Sequence, residues 1–272
     1  MRFKVGSLLK MFSEDIGIDL GTANTLVVVK NKGIVLNEPS VVAVNTKTNK
    51  IVEVGNKAKL MIGKTPDSIQ AIRPLKNGVI ADYEMTEKML REFYKIVLKR
   101  NVLTNPKVVI CVPAGVTQVE KRAVVDATKE AGAREAYLIE EPMAAAIGAG
   151  LDIFQPEGNM IVDIGGGTTE IAVISLGGIV KTSSLRVAGD KLDEAIVQYV
   201  RQKHNLLIGE KTAEEIKNKI AMATDESEEL TGEVRGRNIL NGLPRNISLK
   251  SSEIKDAITE FIEAIVEEIK VT

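Results

Sequence analysis

The sequence of 272 residues has one cysteine, one histidine, no tryptophan and only 3% aromatic residues. One cysteine excludes an internal disulfide framework. One histidine also leaves no His/Cys metal cluster and no Ser-His-Asp catalytic arrangement. Few aromatic side chains argue against base-stacking surfaces. Because 36 basic residues balance 37 acidic ones, no overall charge attracts the chain to nucleic acid. We therefore expect no nucleic-acid partner.

Long hydrophobic runs are also missing. No apolar run approaches the 18 residues of a transmembrane helix. The first residues lack the long apolar core and the cleavage site of a signal peptide. These absences predict a cytoplasmic protein. The length is enough for one large or two ordinary domains with a sizeable core.

Two stretches of the chain share one pattern, in which an apolar strand ends in an acidic residue, a small-residue turn follows, and a second apolar strand leaves. They span residues 161–175 and 16–29. The alignment places Asp19 over Asp163, Gly21 over Gly165, Thr25 over Thr169 and Val27 over Ile171. Each turn alone is equally well a plain glycine-rich β-turn. The second copy, 144 positions away, favours two homologous halves that bind the phosphates of a nucleotide.

The chemistry of these turns fits phosphate. Glycine has no Cβ and allows positive φ, so an anion can approach the backbone, and successive N–H groups form an anion-binding nest. Asp19 and Asp163 could hold a metal ion through water. The candidate phosphate-binding residues are Gly21, Thr22, Ala23, Asn24, Gly165, Gly166, Gly167 and Thr168.

A pair of carboxylates, Glu140 and Glu141, precedes Pro142 and an alanine-rich helical segment that ends near Gly148. Proline suits the first turn of a helix, and carboxylates are stabilised at a helix N-terminus. Taken alone, the pair is better explained by simple helix capping. Beside two phosphate-binding turns, a carboxylate that orients an attacking water is the functional alternative.

Together these three segments resemble the phosphate-one, phosphate-two and connect-one motifs of the actin, sugar kinase and heat-shock chaperone ATPase superfamily. The sequences of residues 17–25, 139–148 and 163–170 are most similar to those of the bacterial actins of the MreB family. The resemblance runs almost from end to end. It implies an α/β, actin-like ATPase fold, in which two ribonuclease-H-like domains face a nucleotide cleft and each carries a small inserted subdomain.

The resemblance assigns ATP and Mg²⁺ as ligands and implies slow ATP hydrolysis coupled to assembly. It gives Glu141 the water-orienting role, with Thr168 as its partner near the γ-phosphate. It also places Gly189 and Asp190 near the phosphates and metal. It places Glu214 and Lys217 in contact with the adenosine.

The expected organisation follows the same resemblance. Residues 13–152 form domain I, with the small subdomain IB at 45–78, and residues 153–272 form domain II, with subdomain IIB at about 205–250. Domain II is expected to be incomplete. The last helix stops at Thr272 without a glycine cap, and the family's glycine-rich adenosine motif is absent after Gly242. A chain cut inside the fold is therefore expected.

The partners implied by the resemblance are other copies of the chain in a filament, the inner face of the cytoplasmic membrane, and the machinery of cell-wall synthesis and elongation that sets cell shape. Residues 1–12 form a short basic amphipathic segment suited to an anionic membrane surface, although an ordinary flexible terminus fits them too. Val102 and Leu103 lie in a loop. The residues slightly favour local packing of this pair, whereas the resemblance implies that the loop can join the terminal segment at the membrane.

Other activities of the superfamily remain open on the residues alone. A sugar or small-molecule kinase needs a catalytic aspartate aimed at an acceptor hydroxyl, whereas this sequence places glutamates after the strand at 138–139. A chaperone-like module has a peptide-binding domain, which is not present after the ATPase region. A scaffold without enzymatic activity is the third alternative.

Helix signals complete the predictions. Hydrophobic periodicity predicts amphipathic helices over 82–99 and 252–270. Capping boxes, in which a threonine precedes a glutamate by three residues, predict helix starts at Thr117 and Thr212. Gly132 suits the residue that follows the first of these helices.

Overall fold

The structure, a computed structural model, describes residues 15–98, 105–224 and 228–272. The strands are β1 (Asp15–Leu20), β2 (Asn24–Val29), β3 (Gly33–Pro39), β4 (Val42–Asn45), β5 (Ile51–Val54), β6 (Ile69–Ile72), β7 (Leu75–Lys76), β8 (Val79–Ile80), β9 (Lys107–Val112), β10 (Glu135–Glu140), β11 (Asn159–Ile164), β12 (Thr169–Ser175), β13 (Gly178–Leu185), β14 (Leu206–Leu207), β15 (Thr231–Asn238) and β16 (Pro244–Lys250). The helices are α1 (Gly55–Lys59), α2 (Tyr83–Leu98), α3 (Gln118–Glu130), α4 (Glu141–Gly148), α5 (Gly189–His204), α6 (Glu210–Ile220) and α7 (Ser251–Val271).

The described residues pack as two compact units. Unit 1 contains the residues up to Gly166 together with Glu170–Ser184, and unit 2 contains Gly167–Thr169 and Leu185–Thr272. The predicted domain boundaries, with their small subdomains, stay a prediction.

The main sheet of unit 1 has the strand order β10-β9-β1-β2-β3. β1 pairs with β2 in antiparallel and with β9 in parallel fashion, and β9 pairs with β10 in parallel. Alternate residues of β1 and β2, such as Ile16, Ile18 and Val27, point into the core, where α2 packs with the fully buried Phe93 and Met89. This sheet fixes the end of β1, where the first small-residue turn begins.

The second glycine-rich turn joins two strands of a smaller sheet in unit 1, ordered β11-β12-β13. The apolar sequences of both strands predict that they are buried, which is confirmed for β12, where Ile171 and Ile174 are fully buried. The prediction is wrong for one face of β11, because Met160, Val162 and Ile164 are exposed within the described residues. A run of apolar residues predicts a strand, but only the neighbouring layers decide whether both of its faces are covered.

Unit 2 is built on three helices. The apolar stripes of α5, α6 and α7 meet in one core with the sheet β14-β15-β16. Its centre includes the buried side chains Ile196, Ile216 and Ile254. The helix predicted over 252–270 is confirmed. Its glutamates at 260, 263 and 267 are exposed, as expected for the face opposite the apolar stripe of an amphipathic helix.

The two capping predictions had different outcomes. Thr117 caps α3 in a full capping box with Glu120, and Gly132 follows the helix with φ of +128°. The second box is wrong, because α6 begins at Glu210, with Gly209 as its N-cap, so Thr212 lies inside the first turn. β14 ends at Leu207 and the helix follows after only two residues, before the threonine is reached.

Two predictions fall on residues outside the described ranges. These are the amphipathic segment 1–12 and the apolar pair Val102 and Leu103. Among the helices that the structure describes, none is long and apolar enough to cross a membrane.

Candidate functional site

The first small-residue turn, residues 21–23, is held in place by side chains from elsewhere in unit 1. The Ser40 hydroxyl donates to the Gly21 carbonyl at 2.6 Å, and the Thr25 hydroxyl lies 2.9 Å from the Ser40 hydroxyl. The Thr22 hydroxyl accepts from the Gly78 N–H at 2.8 Å. Because Thr22, Thr25 and Ser40 are buried, these bonds fix the course of the turn.

The tips of the two predicted phosphate-binding turns lie against each other in unit 1. A Cβ added at Gly166 would lie 2.6 Å from the Ala23 Cβ and 3.2 Å from the Ala23 nitrogen. In the first turn, a Cβ added at Gly21 would lie 2.7 Å from the carbonyl oxygen of Asn24. Neither glycine has a positive φ, so close approach is what requires glycine at both positions.

Four carboxylates gather beside these tips. Asp19 is the next-to-last residue of β1, Asp163 lies near the end of β11, Glu141 is the first residue of α4, and Glu170 follows the second turn on β12. Burial raises the pKa of Glu141 to about 8, with further contributions from the charges of Asp19, Glu170 and Asp163. Burial and Asp163 likewise raise the pKa of Asp19 to about 6. The predicted catalytic and metal-binding carboxylates therefore share one electrostatic environment.

Glu170 was not among the predicted site residues. It is almost fully buried, and its carboxylate accepts from the Ala114 N–H at 3.1 Å and from the Ser184 hydroxyl at 2.6 Å. Burial raises its pKa, while these two bonds oppose the rise. In the sequence it is one polar residue at the start of a strand, and its partners lie 56 and 14 residues away.

The charge pattern around Asp19 and Asp163 fits a magnesium ion. Magnesium is bound through one or two carboxylates and keeps several waters, with the remaining ligands coming from substrate phosphates. In the described part of the chain, no group of three or more His, Cys, Asp or Glu side chains could hold a metal by itself. The carboxylates of Asp19 and Asp163 repel each other, and a bound cation would relieve this repulsion.

The predicted site residues of unit 2 form a separate group. Gly167 and Thr168 are buried, and Gly189 and Asp190 begin α5 as predicted. The Lys217 ammonium donates to the Gly189 carbonyl at 2.9 Å and lies 2.9 Å from the Asp193 carboxylate. Lys217 is therefore held at the start of α5 and is not a surface residue paired along its own helix.

The Lys217–Asp193 pair gives a stability prediction. The side chains are only 16% and 11% exposed, and the charges of Glu214 and Asp190 also raise the pKa of Asp193 beyond the effect of burial. We expect Lys217→Met to lower the free energy of unfolding by about 3 kcal/mol, because a buried charge loses its partner. Chemical denaturation would measure this change.

The exposed Lys219 on the same helix provides the control, and Lys219→Met should change stability by less than about 0.5 kcal/mol. Adding Asp193→Asn to Lys217→Met should recover much of the loss. Equal effects of the two lysine variants would contradict the buried pair.

The carboxylate cluster gives a pH prediction. Glu141 has an ordinary pKa of 4.5 when unfolded and about 8 when folded, so between these values the folded chain holds a proton that the unfolded chain releases. The free energy of unfolding should therefore fall as pH rises from 5 to 8, by at most about 1.4 kcal/mol per pH unit for this proton. Urea denaturation across this range should show a flatter slope for Glu141→Gln. An unchanged slope would exclude Glu141 as the titrating group.

Comparison with known proteins finds related chains over most of this sequence. The family model of the MreB/Mbl proteins matches residues 13–272. The cell shape-determining protein MreB of Escherichia coli is 54% identical over 266 residues, which cover 96% of this chain and 77% of that protein. The cell shape-determining protein Mbl of Bacillus subtilis is 51% identical over 260 residues, covering 96% and 78%.

The chain belongs to the MreB/Mbl family. Its relatives in this family are named for determining cell shape, and the chain spans a little over three quarters of their length.

Solved structures show that this family member has an actin-like fold. MreB5 of Spiroplasma citri bound to AMPPNP matches with a TM-score of 0.88 and 39% identity, covering 94% of this chain and 77% of that one. The same protein bound to ADP matches equally well. MamK in a double helical filament matches with a TM-score of 0.79 at 24% identity, which supports the fold alone.

Proposed function

We propose that this chain binds ATP with Mg²⁺, hydrolyses it slowly, and assembles into filaments at the inner face of the cell membrane, where they direct cell-wall synthesis and cell shape. The observation that carries the proposal is the contact of Gly166 with Ala23, with the carboxylates of Asp19, Asp163 and Glu141 beside it. The nucleotide-bound state of the related MreB5 structures supports the choice of ligand.

In this proposal the backbone of the two turns binds the phosphates. The turn at 21–23 is fixed by buried hydroxyl groups, so its N–H groups are organised before the ligand arrives. Such preorganised donors stabilise developing charge without rearranging during the reaction. Asp19 and Asp163 would hold the magnesium ion, which supplies positive charge to the phosphates. Thr168, Gly189 and Asp190 are also proposed phosphate contacts, and Glu214 and Lys217 are proposed adenosine contacts.

Glu141 is the proposed water-orienting residue. A general base works best when its pKa is close to the working pH, and burial together with three neighbouring carboxylates raises the pKa of Glu141 to about 8. A cation held by Asp19 and Asp163 would offset their charges and lower this pKa, so that Glu141 would be ionised and could accept a hydrogen bond from the attacking water. ATP binding and the readiness of the base are thereby coupled.

Self-assembly and membrane binding complete the proposal. A contact that joins two different surfaces of identical copies does not close and produces a filament. Residues 1–12 supply the proposed membrane-binding segment. The relatives MreB and Mbl are cell shape-determining proteins by name, which supports the proposed role in cell shape.

Sedimentation on anionic liposomes tests the proposal. The wild-type chain and Glu141→Ala are centrifuged with ATP, ADP or no nucleotide, and ATP binding is followed separately by the shift in melting temperature. We expect liposome-bound filaments that depend on ATP and persist longer in the variant. Stabilisation by ATP without pelleting would overturn filament formation, and absence of stabilisation would overturn the nucleotide site.

A further inference from the structure

Glu170 is a buried acidic residue in the strand that follows the second glycine-rich turn. It is 1% exposed, and the next residues of β12, Ile171 and Ala172, are fully buried apolar side chains. Among the described residues, no basic side chain forms an ion pair with it. Because a buried charge is unfavourable unless other groups compensate it, packing alone does not explain a carboxylate at this position.

The internal repeat shows that this carboxylate belongs to the second turn only. The alignment that places Thr25 over Thr169 also places Leu26 over Glu170. Leu26 is a half-buried apolar residue of β2, the strand that follows the first turn. The strand after the first turn is therefore formed without a carboxylate, and Glu170 marks a difference between the two halves of the repeat.

Each oxygen of the Glu170 carboxylate accepts one hydrogen bond. Oε2 accepts from the N–H of Ala114 at 3.1 Å, and Oε1 accepts from the hydroxyl of Ser184 at 2.6 Å. Ala114 is a buried residue of the loop that follows β9, and Ser184 lies on β13. One side chain thus connects the end of the second turn to two other segments of unit 1.

The loop that Glu170 holds lies beside the strand that leads to Glu141. In the main sheet, Val112 at the end of β9 pairs with Glu140 at the end of β10, and Glu141 begins α4 directly afterwards. Ala114 is two residues beyond Val112. The charge of Glu170 also contributes, after burial and Asp19, to the raised pKa of Glu141. Glu170 therefore bridges the second turn and the surroundings of the proposed water-orienting residue.

We propose that Glu170 is a positioning residue for ATP hydrolysis, which uses its hydrogen bonds to Ala114 and Ser184 to hold the second turn in place relative to Glu141. The inference rests on the proposed function and adds a residue to its reaction. Glu170 acts through the turn and the loop and contacts neither phosphate nor water. A displacement of about 1 Å between reacting groups can lower a rate about 100-fold, so a link of this kind affects hydrolysis more than binding.

Four variants separate the hydrogen bonds from other effects. Glu170→Ala removes both bonds, and Ser184→Ala removes one of them. Glu170→Gln keeps both, because its oxygen can accept from the Ala114 N–H while its amide nitrogen donates to the Ser184 hydroxyl. The matched control is Thr182→Ala, since the Thr182 hydroxyl donates from the same strand to the Ile171 carbonyl at 3.1 Å and does not involve Glu170.

Single-turnover phosphate release and calorimetric ATP titration measure rate and affinity separately. We expect Glu170→Ala to lower the rate about 30-fold. Its affinity for ATP should change by less than about threefold, because the hydroxyl of Thr169 still donates to the Val187 carbonyl at 2.7 Å and β12 keeps its place in the sheet. Glu170→Gln and Thr182→Ala should hydrolyse ATP within about threefold of wild type, and Ser184→Ala should be intermediate. Adding Ser184→Ala to Glu170→Ala should cause no further loss, because the two changes remove the same bond.

Each other result overturns the inference in a recognisable way. Normal hydrolysis by Glu170→Ala would overturn it and leave the proposed function standing. Equal losses of rate and affinity, together with a lower melting temperature, would show general damage to the fold in place of a positioning role. A glutamine variant as slow as the alanine variant would show that the charge matters and the hydrogen bonds do not. A wild-type chain that binds ATP without hydrolysing it would overturn the proposed reaction, and this inference with it.

Discussion

Replacing Glu141 by glutamine is expected to lower the rate of ATP hydrolysis at least 100-fold. Glutamine keeps the size of the side chain but removes the group that accepts a proton from water, and general base catalysis contributes about 10²–10⁴-fold. ATP affinity should change by less than about threefold, because the proposed phosphate contacts are backbone groups of the two turns. Phosphate release in single-turnover experiments measures the first quantity and calorimetric titration the second.

The adjacent residue provides the control for this experiment. Glu140 is the last residue of β10, and its carboxylate lies 3.6 Å from the Lys121 ammonium. Glu140→Gln should leave hydrolysis within about threefold of wild type. If both glutamine variants hydrolyse ATP at the wild-type rate, the assignment of Glu141 is wrong. If both lose activity together, the effect is structural and does not identify a base.

Replacing Gly166 by alanine is expected to weaken ATP binding at least tenfold, equal to about 1.4 kcal/mol. The added Cβ would lie 2.6 Å from the Ala23 Cβ, and neither atom can rotate away because both are fixed to the backbone. The tips of the two turns must then separate. If the N–H groups of both turns bind the same phosphates, as proposed, separated turns cannot contact the phosphates simultaneously.

Two further variants test this explanation. Adding Ala23→Gly to Gly166→Ala removes the Cβ on the other side and should recover most of the affinity. Gly148→Ala is the matched control, because a Cβ at this helical position meets no atom within 4 Å and alanine is favoured over glycine in helices by up to about 1 kcal/mol. A double variant that binds as weakly as Gly166→Ala would contradict the contact.

Local patterns in the sequence predicted the elements that carry the site. Strand, turn and strand at 161–175, the helix after Glu140, and the capping box at Thr117 all appear where the residues predict them. Each depends on interactions within a few residues, such as a threonine hydroxyl that accepts from a backbone N–H one turn later. The internal repeat around Asp19 and Asp163 then predicted that two such turns work together.

Other features could not be predicted because they depend on distant residues. The helix α6 begins before Thr212, with the extended residue Gly209 as its N-cap. Glu170 resembles a solvent-facing strand residue until Ala114 and Ser184 are placed beside it. Lys217 reads as a surface cation one turn from Glu214, yet its ammonium is held by Asp193 and Gly189.

The sequence by itself determined the family, the two small-residue turns and the identity of the carboxylates, because these are properties of local order and composition. Tertiary structure alone decided that Gly166 lies against Ala23 and that Glu141 shares its surroundings with Asp19 and Asp163. The close approach of two turns and the raised pKa of a carboxyl group both arise when segments far apart in the sequence meet in a site with little access to water. The spacing of these residues along the sequence does not reveal the distances between them in the folded protein.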